Sequence, residues 1–157
     1  MTEVSINKQA RLSEHFTLDE ICKTSAKTQD GNIPSHVHIE NLKRLCGWLE
    51  ELRRRWNNIY GEGDDPIIIN SGYRSEAVNK AVGGVKGSNH LTGCAADIRV
   101  TGIEQLIRYA TILLDISDES QEDFDELLIE KNRYGAIWLH FAVRPKDNRR
   151  KVAFIIV

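Results

Sequence analysis

Ser88-Asn-His90-Leu-Thr-Gly93-Cys-Ala95-Ala-Asp97-Ile98 is the stretch on which the reading of this chain turns. It leaves a glycine-rich loop (Gly83, Gly84, Gly87) and enters an apolar run, Ala95 to Val100, that reads as a strand. Asp97 therefore lies inside a strand with apolar neighbours. A buried carboxylate without a partner is costly, so this one calls for a companion. His90, on the preceding loop, is one candidate. His140 is another, in Ile137-Trp-Leu-His140-Phe-Ala-Val143, a strand that is apolar on both faces apart from that ring. Two histidines and one carboxylate are a set that holds catalytic zinc and leaves a fourth position for water. Spacing alone also allows ordinary structural roles: a satisfied histidine, or an aspartate in a turn or ion pair.

Outward from this stretch the chain alternates clear signals. Thr17-Leu-Asp-Glu20 has capping-box form and starts a short helix. Residues 25–34, with Gly31 and Pro34, read as a loop. Ser35 then caps a long helix to about Trp56, with Ile39, Leu42, Leu45, Cys46, Leu49, Leu52 and Trp56 spaced by threes and fours. Ile67-Ile-Ile-Asn70 is β-branched and reads as a buried strand. Ser75 caps a short helix that stops at Gly83-Gly84. Thr101-Gly-Ile-Glu104 forms a second capping box, opening a helix with Ile103, Leu106, Ile107, Ala110, Leu113 and Leu114 on one face. Phe124–Glu130, Ile137–Val143 and Val152–Val157 read as three strands, the first pair a hairpin. Helices first and mostly antiparallel strands after them indicate an α+β fold, a small mostly antiparallel sheet with helices packed on one side.

The 157 residues suffice for one domain with a core, and 41% hydrophobic with 28% charged residues reads as globular. A net charge of −2 gives no global attraction to nucleic acid or an anionic membrane, so neither partner is expected. No apolar run reaches the ~20 residues of a membrane span. The opening residues do not resemble a signal peptide, so synthesis in the cytoplasm is expected, with any action outside requiring another export route. Residues 1–12 are expected to be a polar extension before a domain at 13–157. Three cysteines, Cys22, Cys46 and Cys94, are odd in number and form no CxxC, which argues against a disulfide framework. Cys22 and Cys46 read as small buried hydrophobes, and His15, His36 and His38 as surface or capping residues.

Ser88, His90, Gly93, Ala95 and Asp97 match every fixed position of a SxHxxGxAxD motif, Trp138-Leu-His140 matches a Trp-x-His strand, and Ser71-Gly72-Tyr73-Arg74-Ser75 matches a Ser-Gly-Tyr/Phe-Arg-Ser segment. In these motifs and their order the chain resembles the D-alanyl-D-alanine carboxypeptidase/dipeptidase family of zinc peptidases. Phe16-Thr-Leu-Asp-Glu20 looks like the start of its phage- and bacteria-associated branch. The resemblance spans about residues 13–157. It implies a hedgehog/D-Ala-D-Ala-peptidase-like fold and one Zn2+ held by His90, Asp97 and His140. It also implies that Arg74 binds a substrate carboxylate or carbonyl, and that Ser88 orients the loop or the substrate. Gly93 and Ala95 would be small because the backbone passes close to the metal, with Cys94 pointing away from it. The implied substrate is a peptidoglycan stem peptide, cut beside D-Ala or between L-Ala and D-Glu by an endolysin-like enzyme expected to be monomeric.

One position departs from the pattern. Many family members carry a catalytic Glu three residues before the last histidine, where this chain has Ile137. Glu130 is the first substitute, expected opposite Ile137 across the hairpin, and Glu126 the second, within reach of His140. The competing reading is a zinc-stabilised binding or structural module of the same fold without catalysis.

Overall fold

The computed structural model describes residues 7–157. Helix α1 (Leu18–Ile21) is capped by Thr17, whose Oγ1 accepts the Glu20 amide at 3.3 Å. The backbone before it docks on this helix: the carbonyls of Ala10 and Lys8 accept the amides of Leu18 and Asp19 at 2.9 and 2.7 Å. Residues 1–6 of the expected 1–12 extension lie outside the described residues.

Helix α2 (His36–Ile59) starts at Ser35, in a reciprocal box with His38. It runs three residues beyond Trp56, and its stripe of Leu42, Leu45, Cys46, Leu49, Leu52 and Trp56 is buried. A short helix α3 (Glu76–Ala81) is capped by Ser75. Helix α4 (Ile103–Ser120) corrects two expectations. Gly102 is its N-cap and supplies no side-chain bond, while the Thr101 amide is taken by the Gln105 side chain at 2.8 Å. Its buried face is Leu106, Tyr109, Ile112, Leu113 and Ile116, so Ile103 and Ile107 stand half-exposed. Apolar residues on α4 outnumber what one packed stripe can take, and the neighbouring α2 selects which are covered.

The sheet has the order β1-β2-β4-β3-β5, with β1 at Ile69–Ser71, β2 at Ala95–Ile98, β3 at Glu126–Lys131, β4 at Ile137–Ala142 and β5 at Lys151–Ile156. Three pairs are antiparallel, but β5 runs parallel to β3, so the sheet is mixed. The cause is the connection. Ala142 at the end of β4 pairs with Glu126 at the start of β3, and Lys151 sits on the other side of that same residue. The 143–150 loop thus crosses over the start of β3 and sets β5 off in the same direction.

Register sorts the side chains. Ile98 pairs with Leu139 and Phe141 with Leu127, and these four lie in the core with α2 and α4. Trp48 from α2 and Phe124 flank Phe141, with ring centroids at 5.4 and 5.8 Å. Alternation then puts Asp97 and its partner His140 together on the opposite face, with Glu126, Leu128 and Glu130 of β3. Among the described residues no helix is long and apolar enough to cross a membrane.

Candidate metal centre

His90 sits on a 3₁₀ turn, Asn89–Thr92, that Ser88 caps by accepting the His90 amide at 3.2 Å. Ser88 therefore shapes the loop that presents the ring. The turn ends at Gly93, whose φ is +76°. A Cβ there would collide with the His38 carbonyl of α2. Gly93 is thus required by a left-handed turn packed on α2. His90 Nδ1 lies 2.7 Å from the Gly72 carbonyl oxygen. A carbonyl only accepts, so Nδ1 donates to it and Nε2 is the nitrogen that faces the site. Gly72 is itself confined, because a Cβ on it would meet the Ile21 carbonyl.

Asp97 and His140 are cross-strand partners. Asp97 Oδ1 is 3.3 Å from His90 Nε2 and 3.0 Å from His140 Nδ1. All three residues are buried, and one ligand atom from each lies within 4.8 Å of the others. Burial pushes the Asp97 carboxyl up, but the charge of His90 and the hydrogen bond from His140 overcome it and hold it below the carboxylate range. Burial pushes the His140 ring down, yet the hydrogen bonds to Asp97 and Glu126 outweigh it and raise its pKa. The trio on its own is an ion pair around a proton, and a divalent cation would take that proton's place.

The donor set fits zinc. Nitrogen and carboxylate ligands about 2.1 Å from a tetrahedral zinc stand ~3.4 Å apart, close to the two separations from Asp97 Oδ1. The nitrogen pointing away from the site also has a fixed partner on each ring: Gly72 O for His90, and Glu126 Oε1 at 3.1 Å for His140. Such partners orient ligating histidines and fix their tautomers.

The two glutamates of β3 take different stations around His140. Leu128 is its direct partner, so Glu126 and Glu130 flank it diagonally. Glu126 Oε1 bonds His140 Nε2 and also accepts Asn89 Nδ2 at 2.6 Å. These bonds, with that to His140 foremost, hold its pKa down. Glu130 instead pairs with Trp138, one residue from the expected register, and Trp138 Nε1–H donates to its Oε1 at 3.0 Å. That oxygen is 3.5 Å from His140 Nδ1, on the side of the ligand atoms. Burial dominates at Glu130 and raises its pKa.

Arg74 reaches the same centre. Its Nη2 is 3.3 Å from Asp97 Oδ2 and its Nε donates to Ser71 Oγ at 3.0 Å. The Arg74 amide also donates to the His90 carbonyl at 3.0 Å, tying the two loops together. Cys94 is buried with its Sγ nearest the Thr92 carbonyl, and it is not part of the ligand group. His15 bonds Glu50 and His38 caps α2, so both serve the structure.

A second polar cluster, which no sequence motif announces, lies beside Glu126. Asp125 is fully buried. It receives Arg149 Nε and Nη2 at 3.0 and 2.8 Å, the Arg149 amide at 3.0 Å and Asn89 Nδ2 at 2.7 Å. Arg144 Nε lies 3.2 Å from it and donates to Asn89 Oδ1 at 3.0 Å. The one available signal was a charge, Asp125, next to the apolar Phe124 at the head of a strand.

The family model for Peptidase M15 matches residues 14–116. That span includes Arg74, His90 and Asp97 and ends within α4, ahead of the strands bearing His140 and the two glutamates. A zinc D-Ala-D-Ala carboxypeptidase from Streptomyces albus G is 30% identical over 84 residues, 54% of this chain and 31% of that protein. The chain thus matches about a third of the length of that relative.

Proposed function

Because this chain belongs to the Peptidase M15 family, we propose that it is a zinc-dependent peptidase acting on the amide bonds of peptidoglycan stem peptides. The cut would be a D-Ala-D-Ala carboxypeptidase-like or an L-Ala-D-Glu endopeptidase-like one. The observation that carries this reading is the convergence of His90, Asp97 and His140 ligand atoms with a Glu130 carboxylate oxygen 3.5 Å from His140 Nδ1. Bound zinc would polarise the scissile carbonyl and lower the pKa of a water toward ~7.

The chain's own residues do the rest. His90, Asp97 and His140 would hold the ion. Glu126 keeps the His140 proton on Nε2 and so leaves Nδ1 free to ligate. Glu130 takes a proton from the attacking water on Oε1 or Oε2 and returns it to the leaving amine. Its raised pKa suits both halves of that transfer. The Trp138 indole fixes its position by donating to Oε1. Arg74 receives a substrate carboxylate or carbonyl through its fork of N–H donors. Glu130 thereby fills the role that Ile137 cannot.

The test is the release of amino acid or peptide from purified muropeptides, with and without chelator, in wild type and Glu130→Gln. We expect chelator-sensitive cleavage that falls by about 10²- to 10⁴-fold in the variant, with zinc content unchanged. Wild type and variant equally inactive while both hold zinc would instead identify a binding module.

A further inference from the structure

The polar cluster headed by Asp125 has more cation than it needs. Asp125 is one carboxylate, already saturated by the Arg149 fork, a backbone amide and Asn89. Arg144 is drawn to it as well, through Nε alone. Among the described residues, Nη1 of Arg149 and both terminal nitrogens of Arg144 have no hydrogen-bond or ion-pair partner. Their side chains are 50% and 32% exposed. The nearest other acid, Glu126, is engaged with His140 and Asn89 and stands 3.6 Å from Arg149 Nη2.

The position of this surplus matters. The ligands stand on β2, β4 and the adjoining loop, in the middle of the sheet order. Arg74 follows β1 at one side, and Arg149 precedes β5 at the other. Arg74 approaches the centre through Asp97, on the Nδ1 side of His140, whereas Arg144 and Arg149 approach through Asn89 and Glu126, on its Nε2 side. A peptide that crossed the centre from the Arg74 side and continued past Glu126 would meet a guanidinium at each end of its path. Fixed guanidinium forks suit a planar carboxylate, and Asp125 holds them in place so that little rotamer freedom is lost on binding.

We propose that Arg144 and Arg149 form a second carboxylate-binding subsite, which selects substrates carrying an acidic side carboxylate on the far side of the scissile bond from Arg74. This rests on the peptidase reading for its substrate and deepens it: the preferred stem peptide is one whose D-Glu carboxylate is free and not amidated. Arg74 and the subsite together would make the centre a reader of diacids.

The probes are the stem peptide L-Ala-γ-D-Glu-L-Lys-D-Ala-D-Ala and the same peptide with the D-Glu carboxylate converted to the amide. In zinc-loaded wild type the acid form should have a kcat/KM about five- to tenfold higher, mostly through KM, as expected for a charge-assisted contact at a half-exposed site. In Arg144→Gln the ratio should fall to near one, and Arg144→Lys should retain part of it. A wild-type ratio near one, or a ratio unchanged in Arg144→Gln, overturns the subsite. If Arg144→Gln does not fold, the wild-type ratio and Arg144→Lys decide. If neither peptide is cut, the peptidase reading fails, and calorimetric titration of the same two peptides still tests the subsite. Tighter binding of the acid form that Arg144→Gln removes supports it, and equal or absent binding overturns it.

Discussion

The two faces of β2, β4 and β3 are built from alternate residues of the same strands, yet they are held together differently. On one face Ile98, Leu139, Phe141 and Leu127 pack under α2 and α4, where order comes from apolar area removed from water. On the other, Asp97, His140, Glu126 and Glu130 are all substantially buried, and each charge is matched by a named partner. The first face carries the stability of the fold. The second holds the groups of the proposed chemistry, each paired with its neighbours. Deleting a side chain from the first should therefore be felt by the whole domain, and from the second mainly by the adjacent group.

The largest effect expected from breaking this contrast is on the apolar face. Phe141 is fully buried between Trp48 and Phe124. Phe141→Ala should cost about 3–5 kcal/mol in denaturant unfolding. A cost below about 1 kcal/mol would mean that the core does not depend on this strand face.

Next comes the positioning of His140. Glu126→Gln replaces the carboxylate on Nε2 with an amide and should weaken zinc binding by about 10- to 100-fold in chelator competition. Denaturant stability without zinc should change by less than for Phe141→Ala. Unchanged zinc affinity would remove Glu126 from the support of the centre.

A smaller effect follows from Asp125. Burial pushes its carboxyl up, but the Arg149 hydrogen bonds outweigh this and hold its pKa at about 2, against an ordinary 3.8. Its folded pKa is the lower one, so the unfolded chain binds more protons between these values and stability rises with pH there. The contribution is complete above pH ~4 and disappears as the pH falls toward ~2, amounting to about 2 kcal/mol. Wild type should therefore lose about that much more stability than Asp125→Asn between pH 5 and pH 2. Equal losses would show that the cluster is not held by this charge.

The legible and illegible parts of the sequence divide along the same line. His140 and Asp97 could be read because a polar residue inside an apolar strand needs a reason, and the Ser88–Asp97 motif supplied one. Leu42 to Trp56 could be read because the helical period is unbroken. Ile103 and Ile107 were misplaced because α4 has more apolar residues than its packed stripe uses. The parallel course of β5 depends on where β4 ends relative to β3, which no local pattern encodes. A one-residue register step put Glu130 opposite Trp138, where the indole could bond it. Asp125, Asn89, Arg144 and Arg149 were missed because they are ordinary loop and strand-end polar residues. Asn89 lies 36 positions from Asp125 and 55 from Arg144, so only the fold brings them together.

The central claim is that His90, Asp97 and His140 form one zinc site, and metal stoichiometry tests it most directly. Wild type and the single variants His90→Ala, Asp97→Asn and His140→Ala would be purified with zinc, desalted and measured by mass spectrometry of the metal, with circular dichroism to confirm folding. The account predicts about one zinc per chain in wild type and less than about a tenth of that in each folded variant. Equal zinc in wild type and the variants, or none in wild type, would contradict it.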